Sequence, residues 1–232
     1  MPGEDRKSNT IYHFLLPDKG MADYKNKVVK KMSENEMKSI SEWRNEFTKP
    51  FLKSEIEQLE KLSSAADKLW KRHAEMQQNI DNRTTDPLQI FGQKKPNKTF
   101  QLSTTEDKDR IYHQEMFSRN IRNSSPYRRL KLAMDYWCAL WFWPIENSSH
   151  LPSRAEYLFD LTLLLEGDLY DSSVEGEGQL DLFPDTRPRQ QSLKILDEFG
   201  FVNVDRLCKE NKRFGLVQKL AERHRFLHWE LE

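Results

Sequence analysis

The feature that most constrains this chain is the stretch that opens at Ser125-Pro126 and closes at Pro144. Serine at an N-cap followed by proline at the first helical position starts a helix, and the later proline stops it. One face carries Leu130, Met134, Trp137 and Trp141, and the other carries Leu132, Tyr136, Ala139, Phe142 and Trp143. Its last two turns are therefore apolar nearly all round, the mark of a helix buried on every side. Residues 136–144 are the expected centre of the core, and the rest of the chain has to supply its cover.

The covering elements also read as helices, because glycine is scarce, at 8 of 232 residues, and capping signatures recur. Ser33 with Glu36 predicts a helix carrying Met37, Ile40, Trp43 and Phe47, halted by Pro50. Ser54 with Glu57 predicts a second, whose stripe of Ile56, Leu59, Leu62, Ala66, Leu69, His73, Met76 and Ile80 runs for roughly 40 Å at 1.5 Å per residue. The two would pair as a long helical hairpin. Ser103 with Glu106 opens another helix, and Ser153 with Glu156 caps one through Tyr157, Leu158, Leu161, Leu164 and Leu165, ended by Gly167. Short helices follow at 192–199 and 204–210, and a longer one at 214–223.

The two ends read differently. Ile11 to Leu16, closed by Pro17-Asp18-Lys19-Gly20, reads as a strand and turn, and residues 226–232 read as a terminal strand. The expected architecture is mainly α: an irregular helical bundle with a long helical hairpin and short strand-like segments near both ends. Its parts are 1–81, the extended segment and hairpin; 82–105, a linker; 106–166, the buried helical core; 167–190, an acidic loop; and 191–232, short helices and a terminal strand. Residues 166–185 hold Glu166, Asp168, Asp171, Glu175, Glu177, Asp181 and Asp185 with no Lys or Arg among them, a pattern of a solvated loop.

Composition removes several classes of function. Lys and Arg number 37 against 37 Asp and Glu, so no global positive field attracts nucleic acid, and any such contact must be local. No apolar run reaches the roughly 18 residues of a membrane span, and the first residues lack the apolar core of a secretory signal, so the expected location is cytoplasmic. Cys138 and Cys208 lie far apart without a CxxC partner, and His13, His73, His113, His150, His224 and His228 form no HExxH motif. Gly176-Glu-Gly178 sits among acids and would repel a phosphate. A metal-dependent nuclease would need an acidic pair and a lysine; Asp18 with Glu36 and Lys38, and Asp185 with Glu210 and Lys212, match loosely, but the second half of each falls on a predicted helix.

Two basic clusters stand out against the neutral whole. Arg119, Arg122, Arg128, Arg129 and Lys131 run without an intervening acid, and Lys209, Lys212, Arg213, Lys219, Arg223 and Arg225 crowd the last helices. Arg119, Arg122, Arg128, Arg129, Lys131, Lys212 and Arg213 are the candidate contacts to DNA phosphates, weighed against solvated helix faces. Trp137, Trp141 and Trp143 have the ring faces to stack bases, weighed against a place in the core.

The run Ser125-Pro-Tyr-Arg-Arg-Leu-Lys-Leu-Ala-Met-Asp-Tyr-Trp-Cys-Ala-Leu-Trp-Phe-Trp-Pro144 resembles the middle, helical region of large adenine-specific DNA methyltransferases of type IIG restriction-modification and of DISARM- or BREX-like phage-defence systems. Ile11-Tyr-His-Phe-Leu-Leu-Pro-Asp-Lys-Gly-Met21, Arg83-Thr-Thr-Asp-Pro-Leu88 and Arg223-His-Arg-Phe-Leu-His-Trp-Glu-Leu-Glu232 extend the resemblance in the same order. In that family a Phe-His-Trp-Glu-Leu-like strand precedes the Asn-Pro-Pro-aromatic loop that holds the extruded adenine, and a glycine-rich loop binds S-adenosylmethionine. Neither motif occurs among these residues. The resemblance therefore implies a non-catalytic segment, with no catalytic, cofactor-binding or metal-binding residue of its own, whose partners are the remainder of the methyltransferase polypeptide and DNA. A stand-alone helical interaction module docking through the 54–80 helix is the alternative.

Overall fold

The computed structural model describes residues 7, 10–85, 104–111, 113, 123–167, 195–197 and 202–228. A 3-10 turn at His13–Leu15 is followed by α1 (Lys27–Met32), α2 (Glu34–Phe47), α3 (Lys53–Thr84), α4 (Thr105–Ile111) and α5 (Pro126–Ala139). A second 3-10 stretch, Ile145–His150, leads to α6 (Arg154–Leu165), α7 (Val204–Glu210) and α8 (Lys212–His224). The architecture is mainly α, a helical bundle, as the patterning predicts. Among the described residues no strand forms, and the β-type pairing seen there is an isolated bridge between Leu196 and Val202.

α5 is the hub. Leu130, Leu132, Ala133, Met134, Tyr136, Ala139, Leu140 and Trp143 are buried along it and just beyond. α3 covers it with Leu59, Leu62, Ala66 and Leu69, α6 with Tyr157, Leu161 and Leu164, α8 with Phe214, Val217 and Leu220, and the first 3-10 turn with Phe14 and Leu15. Each such large aliphatic or aromatic side chain contributes about 1.5–3 kcal/mol by leaving water, so this one shared cluster dominates the stability. Aromatic rings fix its geometry: Tyr136 meets Tyr157 at 5.2 Å and Phe214 at 5.5 Å, both edge to face.

The caps agree with the sequence in part. Ser125 accepts from Arg128 N, with Pro126 opening the helix, and Ser153 and Glu156 form a reciprocal capping box. Gly167 takes φ +59°, the left-handed conformation expected after a helix end. Elsewhere a neighbour takes the role. Ser33 makes no capping hydrogen bond, and α3 starts ahead of Ser54, where the Glu55 carboxylate accepts from Leu52 N at 2.8 Å. Thr104 caps α4, its hydroxyl accepting from Asp107 N, while Ser103 lies outside the described residues.

Three expectations need correction. Residues 11–16 form no strand: a single 3-10 turn lets Phe14 and Leu15 enter the core together, which the alternation of a strand forbids. α2 and α3 do not bury their stripes in one another. α2 rests on the 145–150 stretch, with Trp43 Nε1 donating to Pro152 O at 2.6 Å, whereas α3 lies along α5 and α6, where the larger apolar surface is. The end of α5 is not enclosed on every side, since Phe142 stays 50% exposed and Trp137 and Trp141 are half-buried. The expected strand at 226–232 is not formed at 226–228, and residues 229–232, the acidic loop at 168–190 and most of the 82–105 linker lie outside the described residues.

Candidate functional site

The polar groups that join distant parts of the chain gather on α5. At its start, Arg128 pairs with Asp205 of α7 at 3.0 Å. One residue on, Arg129 is 3% exposed and donates to the last carbonyls of α6, through Nε to Leu164 O at 2.8 Å and Nη2 to Leu165 O at 3.1 Å. These are the carbonyls a helix end leaves without intrahelical partners.

A turn further, Asp135 is buried and lies 3.4 Å from Lys131 Nζ and 2.7 Å from His228 Nε2. Lys131 also donates to Phe226 O at 3.3 Å, so the segment after α8 is held to α5 at two points. On the opposite side Trp137 Nε1 donates to Leu16 O at 2.8 Å, His13 meets the Trp137 ring edge on, and Gly20 sits under Trp141, where a β-carbon would lie 2.5 Å from Cζ3.

Beneath these lies a buried network. Tyr136 donates to Asp160 at 3.0 Å, and Arg213 donates to Asp160 at 2.9 Å and to Glu156 at 2.7 Å. Burial pushes the Tyr136 phenol well above its ordinary range, and the Asp160 charge adds to it. Burial works against the charge on Arg213, yet Tyr136, Asp160 and Glu156 around it hold the guanidinium protonated more firmly than usual. Burial would raise the Glu156 carboxyl, but Ser153 and Arg213 outweigh it and hold the carboxyl below its ordinary value. With every polar member engaged, this network fastens α5, α6 and α8 together, buried at Tyr136 and Asp160 and reaching solvent at Glu156.

Of the seven candidate phosphate contacts, Arg128, Arg129, Lys131 and Arg213 are thus engaged inside the chain. Lys212 is exposed on α8, and Arg119 and Arg122 lie outside the described residues. Trp143 is fully buried, with Nε1 donating to Asn147 O, so it serves the core. Burial pushes the Cys138 thiol up to about 11 and the Cys208 thiol up to about 12, away from the nucleophilic thiolate form. Burial also lowers His73, which lies 5.6 Å from the Tyr127 ring.

No group of three or more His, Cys, Asp or Glu able to hold a metal occurs among the described residues. Asp18 instead closes its own turn by accepting from Gly20 N, and Asp185 lies outside the described residues. A groove of about 900 Å³ along α3 is lined by seven charged side chains of both signs, including Glu57, Lys61, Lys68 and Glu166. No described helix is long and apolar enough to cross a membrane.

What the sequence reading missed is a surface cluster of rings. Phe142 stacks on His224 at 4.9 Å, and Phe226 lies 5.7 Å from Phe142 and 5.9 Å from His224. The signal was weak, because Phe142 reads as core and the other two lie more than eighty residues downstream.

Comparison with known proteins finds no matching family, curated protein or solved structure.

Proposed function

We propose that the chain is a non-catalytic helical module of an adenine-N6 DNA methyltransferase from a bacterial restriction-modification or phage-defence system. Its work is to scaffold the parts that bind the methyl donor and the target base. The observation that carries this reading is where three of the four resembling segments lie. Residues 11–21, 125–144 and 223–228 are far apart in sequence, yet the first meets α5 through Leu16 and Trp137, and the last meets it through Phe226 with Lys131 and His228 with Asp135. Segments that share a resemblance and also share one packing site behave as one structural unit.

In this reading the chain itself does not hold S-adenosylmethionine. The α3 groove presents charges of both signs rather than a glycine-rich turn at the end of a strand, and the polar groups of the Tyr136 network are engaged with one another. In this reading the methyl donor belongs to the larger enzyme. The alternative, docking through the long helix, has half of its stripe already engaged, since Leu59, Leu62, Ala66 and Leu69 pack into the core beside α5 and α6.

Labelled S-adenosylmethionine and adenine-containing DNA test the reading. The chain alone transfers no label, and the same chain joined to the coding sequence that follows it in its genome labels adenine N6. Transfer by the chain alone, or none by the joined protein, contradicts it.

A further inference from the structure

The ring cluster at the end of α8 differs from the rest of the surface. Phe142, His224 and Phe226 lie with their planes within 34° of one another and their centroids 4.9–5.9 Å apart, so the rings form a near-parallel group with His224 stacked against both phenylalanines. Phe142 is 50% exposed, His224 is exposed, and Leu227 beside them is 49% exposed. This is a small aromatic shelf open to solvent.

Positive charge leads up to it. From 204 to 225 the chain carries seven Lys and Arg against three Asp and Glu, although the whole chain is neutral. On α8, Lys212, Lys219 and Arg223 are spaced by seven and four residues, so they share one face of the helix over about 17 Å of its axis. All three are exposed, as is Arg225 just past the helix end, and none of the four is held in an ion pair among the described residues. Arg128 and Arg213 in the same region have acidic partners. Two exposed rings, Phe142 and His224, backed by the half-buried Phe226 and reached by a row of unpaired cations, match a polyanion whose units carry flat π faces.

We propose that this surface binds an unpaired stretch of nucleic acid, one base stacking on the Phe142–His224–Phe226 shelf while the phosphates follow Lys212, Lys219, Arg223 and Arg225. The surface stands on rings and charges, and rests on the methyltransferase reading only for DNA as the strand it meets. Binding and the coding-sequence test can therefore fail separately.

Fluorescence anisotropy of a short labelled oligothymidylate against the full chain at low salt tests it, with oligouridylate and a duplex of equal length as further arms. The expected order is single strand above duplex, and preference for the ribose strand would assign RNA. Phe142→Ala weakens binding by about 5- to 160-fold, the range for losing one stacked base, and Phe142→Trp restores it. Arg223→Gln with Arg225→Asn flattens the dependence of log affinity on log salt by about 1.4. No binding by the unaltered chain, or affinity indifferent to both sets of substitutions while the thermal melt is unchanged, overturns the proposal. So does self-association of the chain that Phe142→Ala abolishes, since the shelf then serves a second copy.

Discussion

Arg129 fills the space that Gly167 leaves open. A β-carbon on Gly167 would lie 2.5 Å from Cζ of Arg129 and closer still to Nη2, while the same guanidinium holds the carbonyls of Leu164 and Leu165. A glycine at φ +59° ends α6, and an arginine one helix away completes the cap. The two residues form one device although 38 positions separate them.

Gly167→Ala is expected to cost about 2–4 kcal/mol, combining the left-handed backbone penalty with the collision. In an Arg129→Met background the collision disappears and the same substitution costs only about 1–2 kcal/mol. Urea unfolding of the four proteins of the cycle measures this; equal costs in both backgrounds would mean the two residues are not coupled.

Arg129→Met alone should lose about 2–4 kcal/mol by leaving buried carbonyls without donors. Arg129→Lys should recover little, because a single ammonium cannot reproduce the forked contact. If charge reversal at Arg129 weakened DNA binding without lowering stability, the cap would not be its role.

Asp135 ties the segment after α8 to α5. His228→Ala should cost about 1 kcal/mol and Asp135→Ala about 3 kcal/mol, since the latter takes the carboxylate from two donors at once. Hydrogen exchange should report faster opening at 226–228 in both variants, and protection unchanged there would refute the attachment.

Glu156 makes stability depend on acid. Its folded pKa lies below the ordinary value of 4.5, so its contribution is present above 4.5 and is lost as pH falls through the folded value. The carboxylate is 44% exposed, which keeps the effect under about 1 kcal/mol. The difference in urea midpoint between the unaltered chain and Glu156→Gln should shrink below pH 4.5, whereas a gap that widens there has the wrong sign.

Both thiols should resist a disulfide reagent at pH 8 in the folded chain and react fully in urea, because burial raises each of them. Rapid reaction of Cys138 in the folded chain would show that its half-buried position is more open than the packing allows.

Much of the helical fold was legible because it rests on local rules. Ser125 with Pro126, Ser153 with Glu156, and Gly167 act within one turn of sequence, and the bounds 204–210 were read directly. The partners of α2 and α3 were not legible, since two amphipathic stripes say that each helix buries a face but not against which neighbour. The same limit explains the basic residues. Arg128 and Arg129 look identical in sequence, but one meets Asp205 and the other two carbonyls at 164 and 165, contacts that only the packed chain creates. The aromatic shelf was invisible for the complementary reason, as Phe142 continues an apolar run and only the path of the chain past α8 brings His224 and Phe226 beside it.

The proposed role as a methyltransferase module is tested most directly by reading the genomic DNA that follows the Glu232 codon. The account predicts an open frame that continues into an Asn-Pro-Pro-aromatic motif shortly after the segment held on α5. A frame that continues without that motif, or a stop codon with no methyltransferase gene beside it, would contradict it.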